Sequence, residues 1–327
     1  MSLLTVAGIS MIEEGSAVLK DISFTLQELQ KIAIAGETGS GKSTLLQVIA
    51  GLVQPSAGQV LFDGERVKGP TEKLVPGHPG IAYLSQQFEL QKFLRVEQVL
   101  AYANTLTDEE AANIYEICRI SHLLKRRTNQ LSGGERQRIA LAKLLVSSPR
   151  LLLLDEPFSN LDTAHKDTLK AVIQAIGDQL EITCILISHD PHDTLPWADE
   201  ILVMRGGQIL QKGTPAQLYR QPVNEYVAAL FGSYNLIAPA QAKAFAALPS
   251  MQVNGKSILI RPESFRLVAV GSQALAGTVT KVAFFGSYCQ LEVQLPGIMI
   301  TMKTGDNHVK AGDEVYVSFS PDAVSYV

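Results

Sequence analysis

The segment Gly36–Ser43, with the sequence GETGSGKS, restricts the fold of this chain more than any other stretch. It follows the apolar run Lys31–Ala35, which predicts a short strand, and its end opens a helical pattern that continues to about Ala50. A strand, a glycine-rich turn and a helix in that order direct backbone N–H groups and a helix N-terminus at bound phosphates. A chance glycine-rich turn would not be expected to have both neighbours. The pattern therefore predicts an α/β fold that binds a polyphosphate at this turn.

The residue types in this loop suit the phosphates of a nucleotide and its metal ion. Glycines let successive N–H groups turn inward, Lys42 reaches the terminal phosphates, and Ser43 offers a hydroxyl to Mg²⁺. The candidate nucleotide-binding residues of the loop are Gly36, Glu37, Thr38, Gly39, Ser40, Gly41, Lys42, Ser43 and Thr44.

Two adjacent carboxylates end a second apolar run, Leu151–Leu154, which predicts a strand that is covered on both faces. Ligands of open α/β sheets bind at such strand ends, so we expect Asp155 to hold the metal ion and Glu156 to polarise the attacking water. In an extended strand these neighbours would point to opposite sides. A solvated acidic turn is the alternative interpretation of an isolated Asp-Glu pair.

The segment Leu131–Arg138, LSGGERQR, predicts a second helix N-terminus that could bind an anion. Ser132 and Glu135 have the S-x-x-E spacing of a capping box, and two glycines expose the backbone N–H groups behind the serine. By itself a capping box indicates only where a helix begins. The candidate binding residues of this segment are Ser132, Gly133, Gly134 and Glu135.

With these motifs together, the chain resembles the nucleotide-binding subunit of an ATP-binding cassette (ABC) transporter, and LSGGERQR is similar to that family's signature motif. The resemblance implies a P-loop NTPase cassette that hydrolyses ATP with Mg²⁺. It also implies a head-to-tail dimer in which Ser132 and Gly134 of one subunit complete the ATP site of the other.

Three further positions match the family's motifs. Gln86, which ends IAYLSQ, resembles the Q-loop glutamine, a contact of the metal and of water, and SNLD at 159–162 resembles the D-loop. His189 lies at the position of the switch histidine, which implies contact with the γ-phosphate. A lone histidine after a strand is more often structural. Without such matches, we interpret His165, His192 and the basic cluster 125–127 as surface features.

The resemblance and the hydrophobic pattern together predict the domain organisation. We expect an ATPase domain over 1–231, with a helical subdomain at about 88–146, then a linker over 232–256 and a small all-β, OB-like barrel over 257–327. The barrel is similar to the regulatory TOBE-like barrel of importer ATPases for sugars, polyamines, iron, molybdate or sulfate.

The sequence departs from the family where an aromatic residue usually stacks on adenine. Alignment on VLKDISF places Glu13 at that position, and no aromatic residue occurs between Met1 and Ile22. Because stacking on one base contributes roughly 1 to 3 kcal/mol, adenine should be held more loosely unless Met11 or Ile12 packs on it, and we expect weak discrimination between ATP and GTP.

Charge and hydropathy limit the possible partners. The 28 Lys and Arg residues against 32 Asp and Glu residues give a net charge of −4, which argues against a dedicated nucleic-acid binder. We find no signal-peptide pattern and no apolar run of about 18 residues, so a membrane role would require a partner. The three cysteines are widely spaced and predict neither a disulfide framework nor a zinc site, which fits a reducing compartment.

The resemblance implies an importer subunit at the cytoplasmic face of the membrane of a prokaryotic cell. Its implied partners are a second ATPase subunit, identical or different, membrane permeases and, indirectly, an extracytoplasmic substrate-binding protein. The alternative is a non-transport cassette ATPase that acts on nucleic acid or ribosomes. Such proteins usually have two cassettes or a coiled-coil insertion, and neither is visible. A barrel that senses a small molecule and controls the ATPase is compatible with the importer hypothesis.

Overall fold

The computed structural model describes residues 2–87, 90–159, 161–241, 255–271 and 274–327. The chain packs into two compact units, Met1–Pro215 and Ala216–Val327. The sequence-based domain bounds, with an ATPase domain ending at 231, stay a prediction.

Ten strands and six helices form the first unit within its described residues. The strands are β1 Ser2–Glu13, β2 Ser16–Gln27, β3 Lys31–Gly36, β4 Ala57–Phe62, β5 Glu65–Arg66, β6 Ile81–Leu84, β7 Leu151–Asp155, β8 Thr183–Ile187, β9 Glu200–Arg205 and β10 Gln208–Gly213. The helices are α1 Lys42–Ile49, α2 Val96–Ala101, α3 Asp108–Ile117, α4 Gly133–Leu145, α5 Thr163–Gln179 and α6 Pro191–Thr194.

A six-stranded sheet of order β10-β9-β3-β8-β7-β6 forms the centre of the first unit. Its strands are parallel except β10, which pairs antiparallel with β9. Every residue of β7 and β8 is buried, as expected for strands that are covered on both faces. Ile187 of β8 pairs with Ile34 of β3 and with Asp155 of β7, so these three strands end side by side at one edge of the sheet. The sequence predicted this shared edge as the ligand site.

Separate layers cover the two faces of this sheet. On one face, α1 and the four-stranded antiparallel sheet β2-β1-β4-β5 share a core with β3. On the other face, residues of α2 to α5 pack around the apolar side chains of β7 and β8. A capping box of Thr107 and Glu110 opens α3, which ends at Ile117, two residues before Arg119 adopts a left-handed backbone conformation.

The second unit is an all-β domain of antiparallel strands preceded by two short helices. The helices are α7 Pro215–Arg220, which begins at the last residue of the first unit, and α8 Glu225–Leu230. The strands are β11 Asn235–Ile237, β12 Ile258–Ile260, β13 Phe265–Val268, β14 Leu275–Phe284, β15 Cys289–Leu295, β16 Ile298–Thr304, β17 Glu314–Phe319 and β18 Val324–Tyr326. They form two hydrogen-bonded sheets, β13-β17-β14-β15-β16 and β11-β12-β18, around one core.

One part of the predicted linker is a strand. Asn235–Ile237 pairs with β12, and the side-chain amide of Asn235 donates to the carbonyl oxygens of Ile260 and Thr301. Three residues are too few to display a strand period, which is why the sequence indicated a linker here. The predicted linker residues 242–254 lie outside the described residues.

No helix in the described part of the chain has the length and apolar character that crossing a membrane requires. All three cysteines are buried and free. Burial raises the pKa of the Cys118 and Cys184 thiols to about 12, so these thiols are protonated at neutral pH.

Candidate active site

The phosphate-binding loop connects β3 to α1 and requires its glycines. Gly36 has φ 154° and Gly41 has φ 94°, in the region that favours glycine. A Cβ atom at Gly41 would lie 2.7 Å from the carbonyl oxygen of Val18, and one at Gly36 would lie 2.3 Å from that of Met204. The neighbouring backbones therefore exclude side chains at both positions.

Lys42 lies in the first turn of α1, and backbone carbonyl groups hold its ammonium group. Its Nζ donates to the carbonyl oxygens of Gly36 and Glu37, over 2.8 and 2.7 Å. Burial lowers the pKa of Lys42, against the opposing effect of nearby carboxylates, of which Glu156 is the strongest. A phosphate bound here would add a strong anionic partner for this buried cation.

Oxygen groups suitable for a magnesium ion meet at the start of α1 and the end of β7. The Ser43 hydroxyl donates to Oδ1 of Asp155 over 3.0 Å, and the Tyr83 hydroxyl donates to Oδ2 over 2.9 Å. The described residues contain no cluster of three His, Cys, Asp or Glu side chains that could hold a metal. Mg²⁺ bound with a nucleotide takes phosphate oxygens, water and one or two protein oxygens, so this donor set fits it.

Glu156 corrects one expectation from the sequence. It does not continue the strand after Asp155 but adopts a left-handed conformation with φ 48°, and its N–H donates to the carbonyl oxygen of Ile187. The local backbone therefore turns toward the end of β8. There, Oε2 of Glu156 lies 2.8 Å from Nδ1 of His189. The predicted alternation of the two carboxylates is wrong because the strand ends at Asp155.

A cleft of about 340 Å³ brings most of the predicted site residues together. It is lined by Val18, Thr38, Gly39, Gly41, Lys42, Ser43, Thr44, Gln86, Glu156, Ile187 and His189. Asp155 reaches this cleft through its hydrogen bond with Ser43. Gly36 and Glu37 reach it through the ammonium group of Lys42, whose Nζ also lies 3.4 Å from Oγ of Ser40.

The predicted binding residues 132–135 are not among the described residues that line this cleft. They form the start of α4 as the sequence predicted: the Ser132 hydroxyl accepts from the N–H of Glu135, whose Oε2 accepts from the N–H of Ser132. The hydrogen bond that its carboxylate accepts from the Ser132 N–H holds the pKa of Glu135 below its ordinary value. The N-terminus of α4 is therefore a preorganised element on a separate part of the surface.

The predicted D-loop leads from Glu156 into α5. Ser159 donates to the carbonyl oxygen of Glu156, and Asp162 caps α5 by accepting from the N–H of His165. Asn160 lies outside the described residues.

The side chain of His165 is 40% exposed, which agrees with its interpretation as a surface residue, and it also makes two contacts. Its ring Nδ1 lies 2.8 Å from the Asp162 carboxylate, and a Cβ atom at Gly134 would lie 2.5 Å from its Cδ2. The ring therefore packs against the first turn of α4. The sequence does not reveal this contact because the two positions are 31 residues apart in the chain.

Two sets of residues near the cleft escaped the sequence analysis. Tyr83, which orients Asp155, lies in the same IAYL strand that leads to Gln86. Lys166 and Lys170 of α5 contact the acidic residues that follow His189. The available signals were the Lys pair at i, i+4, which lies on one face of α5, and the Asp pair at i, i+3 around the start of α6.

Comparison with known proteins follows the same division of the chain. The ABC transporter family model matches residues 19–159, and the TOBE domain model matches residues 258–327. The sulfate/thiosulfate import ATP-binding protein CysA of Synechocystis sp. is 34% identical over an alignment of 290 residues, and the match covers 85% of this chain and 80% of that protein. The chain belongs to the ABC transporter family.

Other ABC transporter proteins extend the likeness. The spermidine/putrescine import ATP-binding protein PotA of Spiroplasma citri is 31% identical over an alignment of 347 residues including gaps, and the match covers 99% of this chain and 97% of that protein. The solved structure of cbiO1 from Clostridium perfringens, part of the ABC transporter complex cbiONQ, has a TM-score of 0.59 and 27% identity. That match covers 67% of this chain and 90% of cbiO1.

Family membership confirms the predicted fold class and activity. The chain is an ATP-binding ABC subunit of the import type that hydrolyses ATP, with a P-loop cassette and a C-terminal TOBE domain. The alternative of a non-transport ATPase acting on nucleic acid or ribosomes is not favoured. The roles of the individual site residues stay predictions.

Proposed function

We propose that this ABC ATPase works as one half of a head-to-tail pair that drives membrane permeases from the cytoplasmic face of a prokaryotic membrane. One observation carries the proposal: α4 begins with a capped N-terminus and two glycines, which suits an anion, yet residues 132–135 do not line the described cleft of their own chain. A second subunit can bring its α4 to this cleft. The pair would be two copies of this chain or this chain with a related one.

The residues around the cleft divide the chemistry of ATP hydrolysis. Lys42 and the loop N–H groups bind the phosphates, while Ser43, Gln86 and Asp155 would hold Mg²⁺, directly or through water. Bound there, Mg²⁺ neutralises charge that develops on the phosphate oxygens. Catalysis then depends on positioning and electrostatics.

Glu156 and His189 act on the attacking water and the γ-phosphate in this proposal. The Glu156 carboxylate is only 16% exposed and orients the water. His189 is 71% exposed at the mouth of the cleft, where it holds Glu156 through Nδ1 and leaves Nε2 for the γ-phosphate.

A second cavity supports coupling to a permease. It has a volume of about 530 Å³ and is lined by Gln86, Gln87, Leu90, Lys92, Thr128, Asn129, Gly133 and Arg136. Gln86 lines both this cavity and the nucleotide cleft. A permease helix inserted here would contact the same segment that contacts the nucleotide, and Gly133 of the predicted signature.

We also propose that the cargo is selected outside this chain, which the names of its relatives support. This chain is 34% identical to an ATPase named for sulfate and thiosulfate import, which are anions, and 31% identical to one named for spermidine and putrescine import, which are cations. Similar identity to both fits an ATPase that leaves cargo choice to the permeases and an extracytoplasmic binding protein. The TOBE domain would regulate the ATPase.

Complementation between two inactive variants tests the composite site. Lys42→Ala impairs a subunit's own phosphate loop, and Ser132→Arg blocks the helix N-terminus that the subunit offers to its partner. Each variant alone is expected to lack ATPase activity. In a 1:1 mixture that exchanges subunits, half of the pairs have one intact site, so about a quarter of the wild-type rate should return if the sites act independently.

The controls separate a composite site from a self-contained one. A mixture of Lys42→Ala with the double variant Lys42→Ala/Ser132→Arg has no intact site and should stay inactive. Wild-type activity in Ser132→Arg alone, or no recovery in the complementing mixture, would contradict the proposed pair.

A further inference from the structure

A network of charges centred on the buried Asp193 lies behind the loop that contains His189. The side chain of Asp193 is 2% exposed, and its Oδ1 forms ion pairs with Nζ of Lys166 at 2.8 Å and with Nζ of Lys170 at 2.7 Å. Its Oδ2 accepts a hydrogen bond from the Ser188 hydroxyl over 2.8 Å. The network therefore begins on α5 and ends at the residue next to His189.

Lys166 makes a second contact that restricts the same loop from its other side. Its Nζ lies 2.5 Å from Oδ2 of Asp190. Asp190 donates its backbone N–H to the Ser188 hydroxyl and accepts from the N–H of His192 through Oδ1. The ammonium group of Lys166 thus holds both neighbours of His189. It holds Ser188 through Asp193 and contacts Asp190 directly.

His189 has few restraints of its own by comparison. Its side chain is exposed, and the hydrogen bond of its ring with Glu156 is the polar contact the described structure gives it. An exposed imidazole on a loop can adopt several rotamers, which would misplace the ring by more than an ångström. Displacements of that size at a reacting centre can lower a rate by about 100-fold.

We propose that Lys166 is a positioning residue, which fixes the backbone of 188–190 so that His189 meets Glu156 and the γ-phosphate. This inference rests on the proposed roles of His189 and Glu156. The alternative is that the Lys166–Asp193 pair only stabilises the packing of α5 against α6. A stabilising role would lower the unfolding temperature without depending on the presence of the histidine.

Kinetics of Lys166→Met in the full-length chain separate these roles. Asp193 keeps Lys170 as a partner in this variant, so no uncompensated buried charge prevents folding. We expect kcat for ATP to fall by about tenfold to 100-fold, with KM within about threefold of wild type. Lys166→Arg restores the charge and should recover most of kcat. Lys170 contacts Asp193 but not Asp190, so Lys170→Met should lower kcat less than Lys166→Met does.

A double-variant cycle with His189→Ala tests whether Lys166 acts through the histidine. If it does, Lys166→Met causes no further loss of kcat in the His189→Ala background. The same fold loss in both backgrounds would overturn the inference, as would a wild-type kcat for Lys166→Met. Ser188→Ala, which removes the hydroxyl between Asp193 and the loop, repeats the cycle if Lys166→Met fails to fold.

The cycle also distinguishes failure of this inference from failure of the proposed function. A wild-type kcat in the His189→Ala variant would contradict the proposed role of the histidine in hydrolysis, regardless of the result for Lys166→Met. A large loss in His189→Ala with no loss in Lys166→Met would leave the proposed function standing and overturn the positioning role.

Discussion

Nδ1 of His189 lies 2.8 Å from Oε2 of Glu156, although 33 residues separate them in the chain. The contact forms because β7 and β8 are parallel neighbours that end at the same sheet edge. Glu156 turns toward β8 with its left-handed backbone, and His189 follows β8 after one residue. The geometry of the sheet thus assembles the proposed catalytic pair.

Asp155→Asn is predicted to weaken Mg²⁺ binding. The carboxylate holds Ser43, and losing a residue that orients a metal ligand typically lowers metal affinity by about 10- to 100-fold. Titration of Mg²⁺ at fixed ATP, followed by nucleotide binding rather than turnover, measures the change. Tyr83→Phe removes only the other hydrogen bond to Asp155 and serves as the matched control with a smaller shift. Equal Mg²⁺ affinity in wild type and Asp155→Asn would contradict the predicted metal site.

An aromatic residue at position 13 is predicted to tighten nucleotide binding. Glu13 ends β1 opposite Ser16, and Val18 of the paired strand lines the cleft. Wild-type ATP and GTP affinities should lie within about threefold of each other. Glu13→Tyr adds a stacking surface that contributes about 1 to 3 kcal/mol, or roughly 5- to 150-fold in affinity.

Glu13→Gln controls for the loss of charge without adding a ring. Equilibrium binding of both nucleotides to the three proteins measures the effect. A strong preference of the wild type for ATP would argue against the expectation that adenine is held loosely.

The charge network behind His189 predicts a pH-dependent difference in stability. Burial is the largest single effect on the pKa of Asp190 and acts to raise it, but the hydrogen bonds from Lys166 and from the N–H of His192, with the charge of Lys166, together outweigh burial and hold the pKa below its ordinary value of 3.8. A folded-state pKa below the unfolded one means that the contribution is complete above about pH 4 and is lost as pH falls through the folded pKa.

Asp190→Asn retains an N-cap side chain for α6 and removes this titration. The difference in unfolding temperature between wild type and Asp190→Asn should be constant from pH 7 to about pH 5 and shrink below about pH 4. If the difference in unfolding temperature grew as the pH fell, the predicted direction of the pKa shift of Asp190 would be contradicted.

Local motifs made the cleft predictable from the sequence. Each of these motifs indicates the conformation of its own segment of backbone. They are the glycines with positive φ, the capping serine with a glutamate three residues later, and the continuous apolar strands. That is why the phosphate loop, the start of α4 and the burial of β7 and β8 agree with the sequence analysis.

Contacts between distant segments account for what the sequence analysis missed. The left-handed turn at Glu156 depends on a hydrogen bond to β8, and β11 exists because its three residues pair with β12. Lys166 and Asp193 are both charged residues on short amphipathic patterns, which the sequence reports as surface. Only the packing of α5 against α6 buries Asp193 and covers most of Lys166, whose side chains are 2% and 22% exposed.

Replacement of Glu156 by Gln tests the account's central claim, that this chain hydrolyses ATP with Glu156 as the residue that orients the attacking water. The amide is isosteric and removes the charge while leaving Lys42 and Ser43 in place. ATP affinity, measured by equilibrium binding, should stay within about threefold of wild type, while kcat falls by at least about 100-fold. Turnover near the wild-type rate in a variant that binds ATP normally would contradict the account.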